Sequence, residues 1–108
     1  MEQESPVFNI IVKNDTVDTN VVNIHIKGEL SFNTVPEAYA RTRDCFNNGE
    51  HVQVDLSDVQ RTDSAAIALI LEWHRLAKEH NARIILNNIP VMLKKIASVS
   101  DLDNLIHN

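Results

Sequence analysis

The stretch LSDVQRTDSAAIAL, residues 56–69, decides the fold. It joins an alternating apolar strand at residues 51–56 to an unbroken apolar run, and Asp63 and Ser64 stand at the junction. Aspartate and serine are favoured helix N-caps, because their side-chain oxygens accept hydrogen bonds from free backbone N–H groups. The pattern therefore predicts a helix that begins at Asp63, with Asp63 or Ser64 as its cap, and ends near His80.

Strands and helices alternate on both sides of this stretch. Further strands are predicted at residues 7–12, 22–26 and 82–87, with a short last strand around residues 105–106, and further helices begin at Thr34 and Pro90. The resulting order, β-β-α-β-α-β-α, implies parallel crossover units. We expect an α/β fold with a single mixed, mostly parallel β-sheet, an antiparallel N-terminal strand and about three to four flanking helices.

Local sequence signals predict where the second strand ends and where the first helix begins. They also predict the buried face of that helix. Gly28 is predicted to end the second strand. Thr34 and Glu37 are spaced as in a capping box, in which each side chain caps the other residue's backbone. The buried stripe of this first helix is predicted to be Val35, Ala38, Tyr39, Thr42, Cys45 and Phe46.

Composition indicates one globular domain. The chain has 108 residues, of which 44% are hydrophobic and 23% are charged. Its longest apolar run, residues 65–71, is far shorter than the roughly 20 residues of a membrane-spanning helix. No secretory signal is expected, and Cys45 is the single cysteine, so a reducing cytoplasm fits. We expect residues 1–6 to be disordered and residues 7–108 to form a single domain.

Charge and motif content exclude several functions. Ten Lys and Arg against fifteen Asp and Glu leave a net charge of −5, so we expect neither nucleic-acid binding nor direct membrane insertion. Two glycines are too few for a phosphate-binding loop. No nucleophile-elbow glycines accompany Ser64, and His74 and His80 lack the spacing of a metal-binding pair. We predict no enzyme activity, no metal and no cofactor.

The helix that starts at residues 63–64 is apolar nearly all round over its first two turns. Its predicted core face comprises Ala65, Ala66, Leu69, Ile70, Trp73, Leu76 and Ala77. Ile67, Ala68 and Leu71 fall instead on the polar side, close to Ser64. Either a neighbouring element covers Ile67 and Leu71, or these residues form an exposed apolar patch that marks a partner surface.

Ser64 also has two interpretations. As a structural residue, it or Asp63 caps the helix. As a regulatory residue, it accepts a phosphate, which would meet the free N–H groups and the positive dipole end of the helix. A phosphate there would break a docked interface by charge repulsion and desolvation. The two roles are compatible.

Residues 56–69 and residues 28–30 resemble the STAS family, the sulfate-transporter and anti-sigma-factor-antagonist domain. The Asp63-Ser64 pair opens a helix of small residues, and residues 28–30 (Gly-Glu-Leu) are similar to the family's motif after the second strand. The resemblance covers nearly the whole chain and implies the STAS fold for residues 7–108. In the anti-sigma-factor antagonists the matching serine is the phosphorylated switch, which makes Ser64 the candidate phosphorylation site. That branch has glycines after the serine, whereas this chain has none there.

A second branch is more similar: the MlaB-like STAS subunit of the bacterial phospholipid transporter that maintains outer-membrane lipid asymmetry. Its helix has two small residues, an aliphatic run and a Leu-Ala-Lys ending, which correspond here to residues 65–66, 67–71 and 76–78. The resemblance implies a cytoplasmic, non-catalytic subunit at the inner-membrane face. It would bind the transporter's MlaF-like ATPase subunit and, indirectly, the permease. The alternative is an anti-sigma-factor antagonist switched by reversible phosphorylation of Ser64.

The docking face is predicted to comprise the loop before the helix and the first two helical turns. Its predicted contact residues are Arg61, Thr62, Ser64, Ala65, Ile67, Ala68 and Leu71.

Overall fold

The computed structural model describes residues 8–18, 20–47 and 51–106. Within them, the strands are β1 (Phe8–Asn14), β2 (Val21–Leu30), β3 (His51–Thr62) and β4 (Arg83–Asn87). The helices are α1 (Val35–Thr42), which continues as a short 3-10 helix (Arg43–Phe46), α2 (Ser64–Glu79), α3 (Val91–Val99) and α4 (Asp103–Ile106). The expected disorder of residues 1–6 lies outside the described residues.

The strands form one sheet in the order β1-β2-β3-β4. β1 pairs antiparallel with β2, and the β2–β3 and β3–β4 pairs are parallel. Ile24 lies beside Val54, and Val54 lies beside Leu86, so apolar residues align across the three parallel strands. This arrangement confirms the predicted mixed sheet with an antiparallel N-terminal strand.

The core lies between one face of the sheet and the helices. The sheet contributes fully or almost fully buried residues from alternate positions: Val22, Ile24, Ile26, Val52, Val54 and Leu56. Trp73 of α2 is also fully buried, and its indole N–H donates to Thr42 Oγ1 over 2.8 Å. Thr42 Oγ1 in turn donates to the Ala38 carbonyl oxygen over 2.7 Å. The one polar atom of the indole is thereby satisfied, which fixes α2 against the end of α1.

Three strands, β1, β2 and β3, end later than the sequence predicts, and β1 does so by two residues, at Asn14. Gly28 does not end β2: it lies inside the strand with a φ of 92°, which glycine adopts at little cost, next to a shift in the β2–β3 register. β3 continues six residues beyond Leu56, to Thr62. Two register shifts let this polar extension follow β2. The predicted end of β2 at Gly28 was wrong because the glycine accommodates a bulge. The predicted end of β3 at Leu56 was wrong because residues 57–61 lack an apolar alternation.

Two further predictions were wrong. Residues 105–106 lie in α4 rather than in a last strand, and this short helix buries Ile106 while His74 Nε2 of α2 contacts the Leu105 carbonyl oxygen at 2.8 Å. Thr34 occupies the N-cap position of α1, but its side chain makes no capping hydrogen bond. Its hydroxyl instead donates to the Glu29 carbonyl oxygen and accepts from the Ser31 N–H. The capping box is replaced by bonds within the β2–α1 loop.

Candidate functional site

Asp63 joins two chain segments at the carboxyl end of β3. It occupies the N-cap position of α2 in an extended conformation, and its Oδ1 accepts the Ala65 N–H over 2.9 Å. Its Oδ2 accepts the Phe32 N–H, from the β2–α1 loop, over 3.1 Å. One carboxylate therefore caps α2 and ties the preceding loop to the start of this helix.

Ser64 is the first residue of α2, and its side chain is exposed. It follows the cap, so it lies beside the first-turn N–H groups and the positive end of the helix dipole. This position allows two kinds of chemistry: a neutral hydroxyl contact with a partner, or acceptance of a phosphate that the helix dipole favours. The geometry is compatible with both interpretations of the sequence.

An exposed stripe continues from Ser64 along α2. Ala68 is exposed, and Leu71 retains 46% of its surface in solvent. Positions 64, 68 and 71 lie on one helix face because they are separated by four and three residues. Leu71 is therefore exposed, as the exposed-patch interpretation requires, and the stripe carries one hydroxyl and two apolar side chains.

Ile67 does not belong to this stripe. It is only 5% exposed and is part of the hydrophobic core, so for Ile67 the covered interpretation is correct and the exposed one is wrong. A residue three positions before Ile70 lies only about 60° from it around the helix, at the margin of the core face. The core face of α2 is therefore broader than the helical wheel indicates. This helix packs against both α3 and α4.

The other predicted contact residues differ in accessibility. Arg61 is exposed near the end of β3, whereas Thr62 and Ala65 are half-buried. The Thr62 Oγ1 atom is buried and has no hydrogen-bond partner among the described residues. Of the predicted set, Arg61, Ser64, Ala68 and Leu71 thus offer exposed side chains.

A shallow apolar groove lies between α1 and α2, with a volume of about 390 Å³. Its lining residues are Val35, Pro36, Tyr39, Ala68, Leu69 and Glu72. Ala68 belongs to both the groove and the exposed stripe. Glu72 accepts a hydrogen bond from Arg75 Nε, and this bond lowers the pKa of the carboxyl. The groove leaves no signal in the sequence, because it depends on the contact between two helices.

Glu29 organises the β2–α1 loop beside this site. It is 3% exposed, and its Oε2 accepts hydrogen bonds from Ser31 Oγ and Asn33 Nδ2. The bond from Ser31, then that from Asn33, lowers the pKa of Glu29, and the positive charge of Arg61 adds to the effect. The motif at residues 28–30 signals this position, but its loop partners could not be read from the sequence.

A separate polar pocket of about 430 Å³ lies on the sheet. Its lining residues are Asn23, Ile24, His25, Gln53, Asp55, Asn87 and Asn88. Nearby, His25 Nε2 and Asp58 Oδ2 are 2.7 Å apart. Across residues 8–18, 20–47 and 51–106, no group of three or more His, Cys, Asp or Glu side chains could hold a metal ion. In the same residues, no helix is both long and apolar enough to cross a membrane.

The sheet order and the Asp-capped helix with an exposed serine define the chain as a STAS domain. Such domains are generally non-catalytic regulatory modules that mediate protein–protein interactions. The profile of one family, described as "Mlab, STAS domain", matches residues 15–107, and the chain belongs to this family.

Solved structures share the fold. The unphosphorylated anti-sigma factor antagonist SpoIIAA superposes with a TM-score of 0.69 at 20% identity, over 94% of this chain and 86% of that chain. The phosphorylated form of SpoIIAA, a Bacillus cell fate determinant, gives 0.67 at 21% identity, over 94% and 89%. An anti-sigma factor antagonist from Mycobacterium paratuberculosis gives 0.71 at 16% identity, over 93% and 83%. No individually curated protein matches the sequence.

Proposed function

We propose that this chain is a non-catalytic STAS subunit that binds and supports the ATPase of a Mla-type phospholipid ABC transporter. The exposed stripe of Ser64, Ala68 and Leu71 at the start of α2 is the observation that carries this proposal. The match to the MlaB-type family supports the choice of partner. The protein would act in the cytoplasm, at the inner-membrane face, and would contact the permease only through the ATPase.

The proposed mechanism is allosteric support. If the chain binds one arrangement of the ATPase more tightly than another, it stabilises that arrangement, and the arrangement in turn binds the chain more tightly. Neither effect requires a reacting group on this chain. Asp63 holds both the start of α2 and the neighbouring loop, so this part of the chain is rigid. A contact here would therefore favour the ATPase arrangement that fits it.

An anti-sigma-factor antagonist is the second candidate function. The exposed position of Ser64 at a helix start favours it, since a kinase could reach the hydroxyl. The absence of glycine after Ser64 argues against it, because that branch of the family carries glycines there.

Co-purification separates the two functions. The tagged chain is expressed at its native level in its own bacterium, cross-linked in the cell and purified, and the captured proteins are identified by mass spectrometry. We expect recovery of an ABC ATPase together with a permease, and loss of ATPase activity in membranes that lack the chain. Recovery of a serine kinase that resembles an anti-sigma factor, without the ATPase, would contradict the proposal.

A further inference from the structure

Phe32 is a large apolar side chain that the fold leaves in solvent. It lies in the loop between β2 and α1, and its side chain is 78% exposed. The residues around it in sequence, Ser31 and Asn33, are polar, so no apolar run explains its presence.

The loop holds Phe32 in a fixed position. Its N–H donates to Asp63 Oδ2, which ties it to the helix start. On either side, Ser31 and Asn33 donate to the buried carboxylate of Glu29. A loop with this many internal bonds loses little backbone freedom when it binds. The loop is therefore suited to present an anchor residue.

The backbone of Phe32 is tied to the residue that precedes the stripe on α2. Its backbone is hydrogen-bonded to Asp63, the residue directly before Ser64, so the ring and the hydroxyl are displayed at the same edge of the sheet. The next residues along the chain from this loop, Val35 and Pro36, line the groove against Ala68. A partner seated on Ser64 is therefore next to the loop that carries Phe32.

We propose that Phe32 is an anchor residue whose ring enters an apolar pocket of the partner ATPase. This inference rests on the proposed function and names a contact within the same site. Buried aromatic residues commonly dominate the binding energy of such interfaces, whereas the surrounding contacts contribute little. Phe32 would then set affinity, and Ser64 would set the sensitivity of docking to charge.

A protein pocket suits Phe32 better than a lipid surface or a second copy of the chain. This edge carries the carboxylates of Glu29 and Asp63 beside the cation Arg61, and the chain carries a net charge of −5, so the edge offers no basic patch to anionic headgroups. A second copy would bring a further net charge of −5 to the same edge, and this repulsion opposes a dimer through the loop.

The test is the affinity of the full chain for the purified ATPase subunit, measured by biolayer interferometry for the wild type, Phe32→Ala and Phe32→Leu. Val17→Ala is the matched control, because Val17 is an exposed apolar residue in the turn before β2, at the opposite edge of the parallel strands. We expect Phe32→Ala to weaken binding at least about tenfold, Phe32→Leu to weaken it less, and Val17→Ala to leave it unchanged. Unchanged melting temperatures would show that the fold is intact.

The outcomes distinguish this inference from the proposed function. If the wild type binds the ATPase and Phe32→Ala binds equally well, the anchor is wrong while the function stands. If the wild type does not bind, both fail. Phe32→Ala is also measured for self-association and for binding to phosphatidylethanolamine–phosphatidylglycerol vesicles. An effect on either of these, with no effect on ATPase binding, would overturn the proposal that Phe32 anchors the ATPase.

Discussion

At the scale of single residues, Asp63 shows what a sequence pattern can and cannot predict. Its place before an apolar helix predicts a cap, and its Oδ1 does accept the Ala65 N–H. Its second oxygen accepts the N–H of Phe32, which lies 31 residues away in sequence. Nothing in local spacing indicates that bond, because it depends on two parallel strands ending side by side.

Glu29 leads to a prediction about pH. Hydrogen bonds from Ser31 and Asn33 lower the pKa of Glu29 in the folded protein below its ordinary value of 4.5. As pH falls below that value, the unfolded chain takes up a proton first, so the free energy of unfolding decreases. We expect Glu29→Gln to lower the melting temperature by several degrees at pH 7, and the difference from wild type to shrink as the pH approaches 3.

Thermal melts of wild type and variant between pH 7 and 3 check this expectation. Glu37→Gln is the matched control, because Glu37 is an exposed glutamate in α1. It should change the melting temperature little at any of these pH values. A constant difference between wild type and Glu29→Gln over the whole range would show that the carboxylate charge does not stabilise the loop.

At the scale of elements, α2 is where sequence periodicity is most informative and also where it reaches its limit. The helix begins and ends within a residue of its predicted bounds, because the Asp63 cap and the apolar stripe mark them clearly. On the helical wheel Ile67 lies at the margin of the core face, about 60° from Ile70, whereas Leu71 lies on the opposite side. Whether a residue at that margin is buried depends on the long-range packing of α2, which periodicity does not contain.

The difference between Ile67 and Leu71 can be measured. Ile67→Ala should reduce the free energy of unfolding by about 2–5 kcal/mol, because it leaves a cavity in the core. Leu71→Ala should reduce it by less than about 1 kcal/mol, since the side chain is half in solvent. Urea denaturation of both variants checks the assignment, and equal losses would show that the two side chains are equally buried. A charged residue at position 67 would therefore test folding, and one at position 71 would test binding.

At the scale of the whole molecule, the alternation of strands and helices is enough to predict the mixed sheet and the direction of its first strand. It could not predict the polar extension of β3, because residues 57–61 pair with β2 through register shifts that leave no apolar pattern. That extension places Asp63 and Ser64 beside the β2–α1 loop. The candidate site thus depends on the part of the fold that local patterns predict least well.

Docking through the start of α2 is the central claim, and the affinity of Ser64→Glu for the purified ATPase tests it most directly. A negative charge at a helix start is favourable for folding, so this variant should retain its stability. Thr16→Glu is the control, because it adds the same charge at an exposed position in the turn before β2, at the opposite edge of the parallel strands. We expect at least a tenfold loss of affinity, of the size typical for a charge placed in a buried contact, for Ser64→Glu and none for Thr16→Glu. Equal affinity of wild type and Ser64→Glu would contradict the account.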